Sequence, residues 1–183
     1  MRSQSILFER VISAARRWVT TIEDWGGFGQ VAGGASGALI GLLFVAVSLN
    51  RDRIAQHPAL HAGALQTLIM FMLPLLVAIL LVTPRQPSWL LGIEILVLGS
   101  VHGLALVLAA RPKHRAAKKE DSRIARLLEY TSPNTVTTVL VLAAGAILVS
   151  GRAVGVYVLV PAIVLALLGG VANAWMFLID DTN

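Results

Sequence analysis

Five long apolar stretches, separated by short polar or proline-bearing spacers, set the pattern along this chain; they cover residues 28–49, 60–82, 89–110, 135–150 and 153–179. A bilayer core of about 30 Å takes roughly 20 helical residues at 1.5 Å each, and the stretches are near that length. The spacers carry the charges and prolines: Asn50-Arg51-Asp52-Arg53, Thr83-Pro84-Arg85-Gln86-Pro87, the polar loop 111–134, and Ser150-Gly151-Arg152. The last two stretches supply about 67 Å of helix, enough for two crossings with a tight hairpin at Arg152. A re-entrant pair with its tip at Arg152 is the alternative. Lipid offers no partner to an open strand edge, so the pattern predicts helices. The expected fold is an all-α integral membrane bundle of five transmembrane helices (residues 28–183).

Residues 1–27 show a different period. Leu7, Val11, Trp18 and Ile22 recur at helical spacing, while Glu9, Arg10, Arg16 and Arg17 fall largely on other faces. This predicts an N-terminal interfacial amphipathic helix, with Trp18 and Trp25 near headgroup depth. A signal peptide fits less well, because the apolar stretch that follows exceeds a usual signal core and the basic segment before it is too long.

Composition narrows the picture further. Apolar residues make up 56% of the 183 and charged residues 14%, against about 45–50% and 25% in soluble domains. A mean hydropathy of +0.77 agrees with lipid as the main solvent. The chain has no cysteine, which removes disulfides, thiolate metal sites and cysteine nucleophiles. With five spans, one side holds six basic residues (Arg2, Arg10, Arg16, Arg17, Arg85, Arg152). The other holds nine: Arg51, Arg53, Arg111, Lys113, Arg115, Lys118, Lys119, Arg123 and Arg126. The positive-inside rule then predicts N-out and C-in. The basic cluster from Arg111 to Arg126 would lie on the cytoplasmic leaflet, where it would attract anionic lipid or contact a protein partner. The pI near 10.4 comes from this flanking charge and brings no nucleic-acid recognition fold.

Candidate contacts begin in the first stretch. Gly29, Gly33, Gly37 and Gly41 stand four apart and predict a groove of bare backbone, either for packing within the chain or for a homo-oligomeric seam. Gly99 and Gly103 offer a second small-residue contact, expected as a partner for the first. Glu94 is the acidic residue inside a stretch. His102 follows eight residues later, and the pair is a candidate ion or proton path. Gln30, Gln66, Thr67 and Asn173 are expected to form interhelical hydrogen bonds. Pro74 and Pro161 interrupt their helices. His57 and His61 have metal-like spacing but lack a metalloprotease glutamate, and Pro58 predicts a helix start between them. No metal, cofactor or catalytic residue is assigned, because no phosphate loop, nucleophile elbow or intramembrane carboxylate pair is present.

Residues 32–50 read AGGASGALIGLLFVAVSLN, followed by Arg51-Asp52-Arg53-Ile54 and Pro58-Ala59-Leu60, and residues 92–99 read GIEILVLG. This resembles small multispan membrane proteins of actinobacteria and related bacteria, whose first span carries an AGASxALxGLxFVAxSxN run. Some of them are labelled modulators of the FtsH protease. The resemblance covers about half the chain; it implies a membrane location, draws attention to Glu94 and the glycines, and transfers no catalytic residue. The expected role is a non-enzymatic accessory, scaffold or regulatory protein acting through helix contacts. The alternative is a small channel or proton-linked transporter using Glu94 and His102.

Overall fold

The computed structural model describes residues 25–117 and 133–179, which are helical with short connections. Among the described residues six helices follow in order: α1 Gly26–Leu49, α2 Arg51–Gln56, α3 Pro58–Val82, α4 Ser88–Ala117, α5 Pro133–Val149 and α6 Gly155–Ile179. Four of them (α1, α3, α4 and α6) are long and apolar enough to cross a membrane, as a multispan membrane protein requires. The fourth predicted stretch forms α5, which at 17 residues is shorter than the others. The expected interfacial helix lies outside the described residues except for its last three, of which Gly26 and Gly27 already belong to α1.

The connections follow from local chemistry. Asn50 ends α1, its backbone N–H and its side-chain Nδ2 both donating to the Ala46 carbonyl. The expected polar spacer after it is helical instead. It forms the short α2, held to the rest by Ile54, its one buried residue. His57 is extended, as a residue before proline prefers, and Pro58 opens α3 at a position where a missing N–H costs nothing. At the other end of α3 the chain turns through Arg85 in the left-handed region (φ 56°), and the Leu90 and Leu91 amides close onto the Pro87 carbonyl. Gly151 (φ 78°) ends α5, donating its N–H to the Leu148 carbonyl, so the hairpin predicted around Arg152 is present and α6 starts at Gly155 rather than at 153.

One boundary differs more. α4 is helical as far as Ala117, seven residues beyond the expected end at 110, and α5 opens at Pro133, one residue before the expected end of the loop 111–134; residues 118–132 lie outside the described residues. The added turns lie beyond the apolar span Ser88–Ala109, and their sequence is basic, without an apolar period.

Packing builds a four-helix bundle with an appendage. α3, α4, α5 and α6 form a closed ring of neighbours, and α1 lies outside it against α3. The core joins Leu73, Val77 and Leu81 of α3 to Leu91 and Ile95 of α4, Val141, Ala144 and Leu148 of α5, and Leu159 and Ile163 of α6. Trp25 clips α1 to the start of α6, meeting Tyr157 edge-on with ring centroids 4.7 Å apart. The Trp25 end therefore carries the 83–87 and 150–154 turns. The Arg51 end carries α2, the basic end of α4 and the end of α6.

Candidate functional site

The expected glycine groove of α1 is divided between two faces. Successive residues advance 100° around a helix, so a four-residue spacing drifts by 40° at each step. Gly29 and Gly33 face α3: a Cβ at Gly29 would meet the Ala78 carbonyl and Val82 at 3.1 Å, and one at Gly33 would meet the Ala78 methyl at 3.0 Å. Gly37 and Gly41 have turned away, and a Cβ on either would meet nothing within 4 Å. Gly99 and Gly103 are not the partners of this groove. They pack on α5, at Val141, Leu142 and Thr138, because α3 stands between α1 and α4. The same seam uses Gly92 and Gly145, which sequence reading passed over; Gly92 brings α4 against the backbone of Leu148 and Val149.

Opposite its α3 contact, α1 presents a second pattern. Gly27, Val31, Gly34, Ala38, Gly41, Val45 and Ser48 are all exposed, at alternating spacings of four and three. This is a seven-residue repeat with a small residue at every seventh position, the spacing of left-handed helix pairs. It was visible in the sequence as Gly27, Gly34, Gly41 and Ser48, but a search for four-residue spacing misses it.

Polar groups inside the bundle serve helix contacts. Pro74 withholds the N–H that would bond the Met70 carbonyl on α3, and one residue on from there Ser36 of α1 donates its hydroxyl to the Phe71 carbonyl. Asn173 of α6 donates to the Gly63 carbonyl at 3.1 Å and to Thr67 Oγ1 at 2.6 Å on α3. The expected interhelical bonding of Thr67 and Asn173 is thus present, while Gln30 is exposed.

Glu94 and His102 are held separately. Gln86, carried over α4 by the turn at Arg85, donates its amide to Glu94, whereas His102 is buried (5% exposed) and hydrogen-bonded to the backbone of Ile69 on α3. No hydrogen bond links the two. His102 Nε2 and the fully buried Thr137 hydroxyl have no hydrogen-bond partner among the described residues. They sit on the core-facing stripes of α4 and α5, with Ile95 and Val141 respectively.

His57 and His61 are both exposed, on either side of the α3 start; the His57 ring bonds the Arg53 carbonyl at 3.0 Å. Among the described residues no three His, Asp or Glu side chains gather as a metal site. Of the basic cluster, Arg111, Lys113 and Arg115 fall on the last turns of α4, while Lys118, Lys119, Arg123 and Arg126 lie outside the described residues. Comparison of the chain with protein-family models, with curated proteins and with solved structures finds no match.

Proposed function

We propose that this chain is a non-enzymatic membrane accessory, scaffold or regulatory subunit. It crosses a bacterial plasma membrane five times, N-out and C-in, works through helix contacts as a homo-oligomer or beside a membrane-protein partner, and meets anionic lipid at its basic end. The resemblance of its first span to small multispan proteins of actinobacterial type belongs to the same proposal. One observation carries it: among the described residues α1 is attached on one side only, and its outward side keeps glycines that none of those residues uses. Glycine weakens a helix by about 0.8–1 kcal/mol relative to alanine. Lipid would accept any apolar residue there, so small residues at a seven-residue repeat fit a second helix.

The test is the mass of the full chain in nanodiscs over a wide concentration range. A dimer or larger species is expected, and Gly34→Leu with Gly41→Leu should give folded monomer, since both positions open onto space. A native chain that is monomeric throughout overturns the assembly.

A second reading, a small channel or proton-linked transporter, draws on the unpartnered His102 Nε2 and Thr137 hydroxyl within the bundle. Proton flux in liposomes that is lost in Glu94→Gln or His102→Gln would replace the accessory reading.

A further inference from the structure

The interior of the bundle changes character along its length. The buried apolar cluster that joins the ring helices begins at Leu73 on α3, ends at Ile95 on α4 and begins at Val141 on α5, so it fills the Trp25 half. Toward the Arg51 end each ring helix turns a polar side chain inward instead: Thr67 of α3, His102 of α4 and Thr137 of α5 are buried, and Asn173 of α6 is partly buried.

These four share one level. The α4–α5 contacts pair Gly99 with Leu142 and Gly103 with Thr138, which puts His102 and Thr137 about 3 Å apart along the bundle axis at 1.5 Å per residue. His102 meets the backbone at Ile69, two residues from Thr67. Thr67 and Asn173 complete one another, since Asn173 donates to Thr67, which donates to the Gly63 carbonyl.

His102 and Thr137 are left open. The Ile69 N–H belongs to the α3 ladder, so the ring nitrogen that reaches Ile69 donates to its carbonyl, and Nε2 keeps a lone pair with no donor among the described residues. Thr67, Ser100 and Thr138 each donate to the carbonyl four residues back, whereas the Thr137 hydroxyl makes no such bond. An open acceptor and an open hydroxyl, both buried at one level, call for a small neutral partner that donates and accepts. A cation would find no carboxylate here among the described residues, because Glu94 stands eight residues away and is held by Gln86. An anion would face the Nε2 lone pair. There is also a way in: an open recess of about 390 Å³ at the Arg51 end lies in the same α3–α4 crevice. Ala62 and Ala109 line it, and Ile69 and His102 stand seven residues away on the same two faces, about 10 Å deeper.

We propose that the Arg51 half of the bundle holds ordered water, hydrogen-bonded to His102 Nε2 and to the Thr137 hydroxyl, beside an apolar Trp25 half that stays dry. Buried water settles where otherwise unpaired polar groups can hold it. The site does not depend on assembly along α1, and its closed end sets it apart from a conducting path.

The experiment is water-edited solid-state NMR of the full chain in phosphatidylcholine–phosphatidylglycerol bilayers, with histidine and valine labelled. At short mixing times, magnetisation from water should reach the His102 ring as it reaches the exposed His57, while Val77 in the apolar half receives none. His102→Gln identifies the His102 signals by their loss. Thr137→Val keeps the side-chain shape and removes the hydroxyl, so most of the transfer to His102 should disappear. Thr138→Val removes a hydroxyl already bonded to the Asn134 carbonyl and should leave the transfer intact. The proposal is overturned if His102 receives as little as Val77, if Thr137→Val changes nothing, or if Thr138→Val has the same effect as Thr137→Val. Transfer to Val77 equal to that at His102 also overturns it, and would show water continuing through the bundle as a conducting path requires.

Discussion

The α4–α5 seam and the first helix are both rich in glycine, yet they use it in opposite ways. At the seam every glycine has a neighbour where its side chain would be: Gly92 meets backbone at Leu148 and Val149, Gly99 meets Val141 at 2.9 Å, Gly103 meets Thr138 at 2.9 Å, and Gly145 meets Leu96 at 2.8 Å. In α1 only Gly29 and Gly33 are used this way, while Gly27, Gly34, Gly37 and Gly41 face open space. Burial agrees, since 17% of the α1 span is buried against 33% of the α4 span. Glycine in a membrane helix is thus not one signal: among the described residues the seam is a finished contact, and α1 is finished on one side only.

Three substitutions would break or sharpen this contrast, beginning with the largest effect. Gly92→Leu drives a side chain into backbone that cannot swing aside, so it should cost at least about 3 kcal/mol. Loss of a monodisperse, helical protein in detergent, followed by size exclusion and circular dichroism, is the readout. Wild-type behaviour would mean that α4 and α5 are not in close contact. Ser36→Ala should cost roughly 1 kcal/mol, within the range of interhelical hydrogen bonds in membranes, because it takes the donor from the Phe71 carbonyl beside Pro74. Denaturation in mixed micelles measures it, and Ser36→Thr should restore most of the loss. Gly37→Leu carries the smallest effect and the opposite sign. With no neighbour to strike, it should leave the single chain unchanged or raise its helix stability by about 0.5 kcal/mol. A large loss would show that the outward side of α1 is occupied within the chain.

What the sequence made legible was whatever lipid dictates. Runs of about twenty apolar residues announced α1, α3, α4 and α6, and proline placed the start of α3 between His57 and His61 with no further help. The contacts were harder because they depend on which helices become neighbours. Nothing local to Gly99 says that it will meet Val141 rather than α1. The four-spaced glycines of α1 looked like one face because the 40° drift accumulates slowly; over three steps it reaches 120°, enough to carry Gly41 out of the contact that holds Gly29. The Glu94 partner was hidden for another reason: Gln86 reaches it only because Arg85 takes a left-handed turn that no motif marks. The basic turns from Arg111 to Ala117 read as loop because an apolar period is what betrays a helix, and their sequence has none.

The unequal lengths of α4 and α5 have a mechanical consequence. At 1.5 Å per residue the 17 residues of α5 reach about 25 Å and the 30 of α4 about 45 Å, although the two lie side by side. Counted as a crossing, α5 is about 5 Å shorter than a typical hydrocarbon core, and lipid next to it must compress or the helix ends must draw water inward. If the chain crosses five times as proposed, it would carry its own dimple in the bilayer, deepest along one flank. Two dimples lower their combined elastic cost by merging, so membrane thickness would then act as a force that gathers copies of this protein and favours thinner bilayers over thick ones.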